Sequence, residues 1–509
     1  MSAGMMVTAT KSVGKKGLIA AFAASLFFTG AGTVSADETN VADLFSIFEP
    51  KNEGKIGAQQ HPRIVAQYGG EYIREGLNGY ILDIVLRIAL VTEQKDEPWR
   101  VTVLNSPIVN AFALPGGYVY VTRGLLALAN NEAEVAGVLA HEVGHVIARH
   151  GAQRQGRATG IGLLGAIAGI LTQSSDVFKL GQTIGGAYIA GYSRDQEYEA
   201  DQLGVKYLGL AGYPPEAMGD FLARLDAHSK YAAKLAGKDG QSGQFDFFAS
   251  HPQTDDRIAK ANASAGRVKD DLDRKYGRAA YLQGINGMLY GDDIKEGVIR
   301  GRWFLHPDLR FKFQAPKGYQ LINSSRAVYA MNGKGGRMIF DIDVKGLRGL
   351  PVDQYLRKIW LQKVKVSTVE TLQVGGAQAA RTRFAVSKNG KKVFVTGVVI
   401  NFGYDKVVRF AYENTTSSQA LEGNYAESYQ SFVPLGYGEA AAIKPVRLSI
   451  ETVAQGDDLD DLYGAMAEAG PAKDLFLLLN PQFVDKAPVA GQKYKFLEYG
   501  SDKEAGAAN

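Results

Sequence analysis

His141-Glu142-Val143-Gly144-His145 is the stretch on which the reading of this chain turns. Upstream of it the apolar positions Val135, Val138 and Leu139 recur at helical spacing, and Asn131 with Glu134 three residues later forms a capping-box pattern. A helix is therefore expected from this cap through to Gly151. On such a helix His141 and His145, four residues apart, leave the same face and can chelate one ion. Glu142 lies beside them, placed to act on a water rather than on the metal.

Composition sharpens that reading. The 509 residues hold 57 Lys+Arg against 53 Asp+Glu, 46% hydrophobic residues and no cysteine. At roughly 150 residues per domain, this length predicts about three folded units. The absence of cysteine excludes disulfides, thiol nucleophiles, iron–sulfur clusters and thiolate zinc sites, so a metal must bind through His, Asp or Glu. Of seven histidines, five (His141, His145, His150, His228 and His251) fall in one part of the chain, which locates the chemistry. A net charge of +4 builds no field that would draw nucleic acid, and none is expected as a partner.

The N-terminus carries Lys11, Lys15 and Lys16, then the uncharged run Gly17 to Phe28, then small residues ending Val34-Ser35-Ala36. These are the three parts of a secretory signal peptide over residues 1–36, which directs the protein to a bacterial periplasm. The apolar run, about a dozen residues, is shorter than the roughly 20 that a membrane-spanning helix needs. Residues 37–287 are mostly helical in pattern, with one strand-like segment at Gly116–Thr122. Residues 303–435 turn to alternation: Leu309, Phe311 and Phe313 in one run, Met338, Phe340, Ile342 and Val344 in another. Asn389-Gly390 reads as a tight hairpin turn. With helical stretches near Val352–Gln362 and Ser417–Phe432 this block is α+β, and no constellation in it points to chemistry. A small block, 445–499, and a polar tail, 500–509, complete a multidomain chain.

A third ligand is needed, because a tetrahedral catalytic metal takes three protein ligands and keeps one open position. His150 lies about 140° around the expected helix from His145. It reads as a cationic helix end stopped by Gly151 rather than as a ligand. The segment Ser193-Arg194-Asp195-Gln196-Glu197-Tyr198-Glu199-Ala200-Asp201 offers more. Glu197 and Asp201 share the face of Ala200, Gly204, Val205 and Leu208, whereas Glu199 points with Gln202 and Lys206 toward solvent. Carboxylates on an apolar face demand partners. They fit one metal ligand and one acceptor that orients an imidazole, or else ion pairs with Arg149 or Arg194.

Four blocks in order make the chain resemble the gluzincin metallopeptidases, the family of HtpX, the CAAX prenyl proteases and the periplasmic BepA-like proteases. They are Asn110-Ala111-Phe112-Ala113 with Pro115-Gly116-Gly117, the helix Val138–His150, Glu197 to Asp201 after Ser193-Arg194, and Ser250-His251-Pro252 followed by Arg257-Ile258. The resemblance covers about residues 60–265 and implies a mainly helical zincin-type domain with a small edge-stranded sheet. It also implies one Zn2+ per chain on His141, His145 and Glu197, with Glu142 as general base and Asp201 behind a ligand imidazole. His251 is implied close to the metal, as a transition-state helper or as a self-inhibiting fourth ligand. Arg257 is a candidate oxyanion or ion-pair partner. The alternating Gly117-Tyr118-Val119-Tyr120-Val121-Thr122 looks like the edge strand on which such enzymes align an extended peptide. Asn110, Gly117, Tyr118, Val119 and Tyr120 are therefore the expected substrate contacts.

Two further segments carry expectations about partners. Residues 158–171 are uncharged, with Gly160, Gly162, Gly165 and Gly169, and read as a lid packed over the cleft or as a contact with a membrane surface. Residues 445–499 resemble a LysM module through Thr452-Val453, Gly456-Asp457-Asp458-Leu459, Leu479-Asn480-Pro481 and Gly491-Gln492-Lys493-Tyr494. That resemblance implies a βααβ unit contacting peptidoglycan, set against a module that docks on the protease. The function expected is an exported zinc endopeptidase for unfolded or misassembled envelope proteins. The rival is a self-inhibited protease working mainly as a chaperone or peptidoglycan-tethered adaptor.

Overall fold

In the computed structural model the described residues are 53–151, 192–235, 247, 251–252, 256–268, 274–388, 391–403, 406–464, 466 and 472–500. The N-terminal 1–36, the glycine-rich 158–171, Ser250, the Asn389-Gly390 turn and the tail beyond 500 lie outside them. Among the described residues no helix is long and apolar enough to cross a membrane.

The first block is built from α1 (Glu53–Gln67), α2 (Leu77–Ala89), β1 (Arg100–Leu104), β2 (Ala111–Leu114), β3 (Tyr118–Thr122), α3 (Arg123–Leu128), α4 (Glu132–Ile147), α5 (Arg194–Leu210), α6 (Ala217–Leu235), α7 (Arg257–Ala265) and α8 (Arg278–Ile285). The strands form a sheet in the order β1-β3-β2, with β3 parallel to β1 and antiparallel to β2. The segment Tyr118–Thr122, expected at the edge, is thus the centre of the sheet. Its alternation serves two buried faces: Val119 and Val121 join the main core, while Tyr120 packs with Ile64, Leu104 and Leu114. With both neighbours hydrogen-bonded, β3 has no main-chain groups left for a peptide. Among the described residues β2 pairs on one side only, so its other side is the free edge toward the helices.

α4 is buried at every position from Glu132 to His145, so it runs through the middle of the core rather than along its surface. Asn131 caps it, its side chain accepting from the Glu134 N–H at 2.8 Å, and Glu134 reaches back to the Asn130 N–H at 2.9 Å. The helix ends at Ile147, short of the expected Gly151, because Arg149 takes a left-handed conformation with φ 55°.

In the second block seven antiparallel strands stand in the order Val369–Val374, Ala377–Lys388, Lys391–Asn401, Val407–Asn414, Arg337–Asp343, Val328–Met331 and Gln320–Asn323. Met338 and Phe340 face one core and Ile339 another, so the alternation there marks a central strand with two apolar sides.

The last block runs strand, helix, helix, strand: Val446–Thr452, Leu459–Tyr463, Ala472–Leu479 and Lys493–Tyr499. Its strands pair with each other, and Val446 and Arg447 also pair with Tyr290 and Leu289. Leu448, Leu475, Leu479 and Leu497 enter the same core as α2 and α4. At this junction Lys495 is fully buried. Its ammonium donates to the carbonyls of Ala127, Leu128 and Ala129 at 2.8, 3.0 and 3.0 Å, the groups that the end of α3 leaves without helical partners. Burial pushes the Lys495 ammonium down, while Glu134 pulls it back.

Lys495→Met keeps the length but strands three buried carbonyls. The expected loss is about 3 kcal/mol, read as a lower midpoint in urea with an unchanged slope. A second expectation concerns acid. His228 on α6 has its pKa lowered by burial to about 4 from 6.5. The unfolded chain therefore takes a proton near pH 6.5 that the folded chain refuses until about 4, and the stability present above pH 6.5 falls away across that window. His228→Gln should flatten this part of the stability–pH curve relative to the native protein.

Candidate metal centre

α4 and α5 cross where two glycines face the partner helix. A Cβ on Gly144 would sit 3.1 Å from the Ala200 carbonyl oxygen, and one on Gly204 would sit 3.2 Å from the His141 nitrogen. This close approach brings His141 and His145 of α4 against Glu197 and Asp201 of α5. α5 starts from a capping box in which Ser193 and Gln196 satisfy each other's backbone N–H groups.

His141, His145, Glu197 and His251 each place one donor atom within 4.8 Å of the others, and all four are buried. His141 Nε2 lies 3.0 Å from His145 Nε2 and 3.2 Å from His251 Nδ1. Glu197 Oε1 lies 3.1 Å from His251 Nδ1 and 3.4 Å from His145 Nε2, and Glu197 Oε2 lies 3.6 Å from His141 Nε2. Donors at bond lengths of about 2.0–2.1 Å around a tetrahedral ion are about 3.3 Å apart, so the set has the size of a metal cage. Three imidazoles and a carboxylate converging in a buried site have the donor chemistry a divalent cation requires.

The groups behind these donors hold them in place. His141 Nδ1 lies 2.8 Å from Asp201 Oδ1. Arg257, 1% exposed, donates from Nε and Nη2 to Asp201 at 2.8 and 2.7 Å, and its Nη1 forms an ion pair with Glu197 Oε2 at 2.7 Å. Longer contacts join the same Nη1 to the carbonyls of His251 and Pro252. Its nitrogens are therefore committed to the site's own framework, and Arg257 braces the carboxylates instead of offering a donor to an oxyanion. Burial alone would raise the Glu197 carboxyl, but the His251 charge and contacts from His145 and His141 hold it well below the usual range.

Glu142 is 1% exposed, with Oε1 3.4 Å from His251 Nε2. Burial pushes its carboxyl up, and His251, His141 and the Ala113 N–H pull it back. Ala113 belongs to β2, so the free edge strand lies against the proposed base. A cleft beside it is lined by Ala113, Pro115, His145, Val146, Arg149 and Tyr192. Phe247 stacks on the His251 ring at 4.2 Å and Tyr192 on the His145 ring at 3.8 Å.

Of the expected substrate contacts, Asn110 is buried, with its N–H on Thr122 Oγ1 at 3.1 Å and its amide on the Tyr68 hydroxyl at 3.3 Å. The Gly117 carbonyl accepts from the Arg100 N–H within the sheet, and Tyr118, Val119 and Tyr120 lie on the central strand. These five are built into the sheet. Phe112 and Ala113 lie on β2, the strand at the edge of the sheet. His150, expected only as a helix end, also stands beside the ligand His145. It is fully buried, its Nδ1 2.8 Å from His145 Nδ1 and its Nε2 3.2 Å from Glu199 Oε2. Nothing local signals this, because it depends on the helix ending early.

A histidine pair four apart on one helix, a glutamate from the next and a buried carboxylate beside them define a metallopeptidase centre. Residues 75–265 match the profile of Peptidase family M48, and this part of the chain is a domain of that family. A β-barrel assembly-enhancing protease of Yersinia pestis is 32% identical over 204 residues, covering 38% of this chain and 40% of that protein. The mitochondrial metalloendopeptidase OMA1 of Schizosaccharomyces pombe is 29% identical over 212 residues, covering 41% and 59%. The β-barrel assembly-enhancing protease of Escherichia coli is 28% identical over 202 residues, covering 38% and 40%. The chain thus spans about two fifths to three fifths of the length of these relatives.

Arg257→Met removes the charge between Glu197 and Asp201 while filling similar space. Metal affinity is expected to fall by roughly 10–100-fold, measured by competition with a chromophoric chelator.

Proposed function

We propose that the protein is an exported zinc-dependent endopeptidase that hydrolyses peptide bonds in unfolded or misassembled cell-envelope proteins. The observation that carries this reading is the buried cage of His141, His145, Glu197 and His251 with Glu142 at its side and a free strand edge, β2, along it. Relatives named as β-barrel assembly-enhancing proteases support an envelope substrate, and those named as metalloendopeptidases support internal cleavage. The signal-peptide pattern of residues 1–36 supports the periplasm. A LysM-like 445–499 would add contact with peptidoglycan, and the uncharged 158–171 would add a lid or a contact with the membrane surface.

Zinc, when bound, supplies Lewis-acid polarisation of a scissile carbonyl and acidifies a water. The chain's own residues do the rest. Glu142 takes the proton from the attacking water and returns it to the leaving amine. Main-chain groups of Ala111–Leu114 align an extended substrate by strand addition, which reads few side chains and so suits unfolded proteins. Asp201 keeps the His141 proton on Nδ1, turning the Nε2 lone pair to the metal.

With His251 in the donor set, a bound ion would have its fourth position closed to water, a self-inhibited state. A chain that never left that state would act mainly as a chaperone or a peptidoglycan-tethered adaptor.

Zinc content and casein cleavage, measured on the form starting at Asp37, test the reading. About one zinc per chain is expected in the native protein and in Glu142→Gln, with cleavage down roughly 10³-fold in the variant. His251→Ala should keep zinc and cleave faster. Zinc in every protein with cleavage in none would favour the chaperone. Native protein without zinc would overturn the metallopeptidase.

A further inference from the structure

The two ligand histidines of α4 are supported from behind in different ways. His141 leans on a carboxylate, Asp201, which Arg257 clamps. His145 leans on another imidazole, since its Nδ1 lies 2.8 Å from His150 Nδ1, and His150 Nε2 lies 3.2 Å from Glu199 Oε2.

We propose that His150 and Glu199 form a positioning relay that fixes the tautomer and ring orientation of His145 and so sets the affinity of the metal centre. The inference rests on His145 being a metal ligand, as proposed above.

Proton bookkeeping leaves one neutral arrangement. His145 must offer a lone pair at Nε2, so its proton sits on Nδ1. Two ring nitrogens 2.8 Å apart need one donor and one acceptor, so His150 accepts at Nδ1. The His150 proton then sits on Nε2 and is donated to Glu199. Any other tautomer of His150 sets N–H against N–H at one end and leaves the Glu199 carboxylate without a donor at the other.

The backbone is shaped to make this contact. Continued as an α-helix, α4 would carry His150 about 140° around from His145. Instead the helix stops at Ile147 and Arg149 adopts φ 55°. A non-glycine residue there costs on the order of 1–2 kcal/mol, and such strain persists where the surroundings over-determine it. The turn carries His150 back under His145, where its side chain is fully buried. Glu199 is the part of the relay that meets solvent, its side chain 59% exposed. Tyr192, stacked on His145 with the rings 14° from parallel, limits the ring's movement on its flat side. The relay limits rotation in the ring plane.

The test is the zinc dissociation constant, taken by chelator competition on the full chain, beside the melting temperature of each metal-free variant. His150→Leu is expected to lose 10–100-fold in zinc affinity. His150→Asn, whose amide oxygen can still accept near the δ position, should recover most of that loss. Glu199→Gln should weaken binding several-fold in the native background and not at all alongside His150→Leu, because its effect passes through His150. Native zinc affinity in a folded His150→Leu would overturn the relay and leave His150 as packing alone. So would a Glu199→Gln effect of equal size in both backgrounds. His145→Ala separates the two readings: if it binds zinc as the native protein does, His145 is no ligand and both readings fall. If it loses zinc while His150→Leu does not, only the relay falls.

Discussion

One guanidinium makes the rest of the centre possible. Glu197 and Asp201 sit one turn apart on α5, both buried, and each uncompensated charge there would cost several kcal/mol. Arg257 meets Asp201 with two parallel hydrogen bonds, the geometry in which charge-assisted bonds are strongest, and pairs with Glu197 by charge at 2.7 Å. Through Asp201 it sets the ring of His141, and through Glu197 it sets the carboxylate of the cage. Because Arg257 opens α7, the packing of that helix and the shape of the metal site are one constraint.

The far end of the chain supports the same helices. Lys495 closes the carbonyl end of α3, and three residues further on Asn131 begins α4. Arg278 of α8 holds the Asn130 carbonyl between them at 2.8 Å and reaches the Lys493 carbonyl at 3.2 Å. The start of the metal helix is therefore set partly by residues more than 300 positions away. Leu448, Leu475, Leu479 and Leu497 complete the core around it, so the stretch that matches the peptidase family does not close its own hydrophobic interior.

Much of the centre was legible in the sequence because it is written in helical periodicity. His141 and His145, like Glu197 and Asp201, are four apart, and that spacing puts a pair on one face wherever a helix forms. The Asn131 cap was legible for the same reason, as were the strands at Phe311–Gln314 and Arg337–Asp343. The place of Tyr118–Thr122 was not. An alternating strand looks the same whether its second face meets solvent or a second core, and here Tyr120 finds Ile64, Leu104 and Leu114. His150 was hidden for a related reason, since a left-handed residue at Arg149 has no signature in a run that otherwise reads as helix.

The sequence by itself determined which residues could bind a metal, that two helices would present them, and that no thiol chemistry was open to the chain. Tertiary structure decided which of its two expected places His251 takes, that Arg257 pairs with Glu197 and Asp201 rather than facing a substrate, that β2 is the edge strand, and that the last block is packed into the protease core. The physical reason is range. Spacing within a helix is settled by bonds a few residues long, while convergence of side chains from separate elements depends on how the whole core packs.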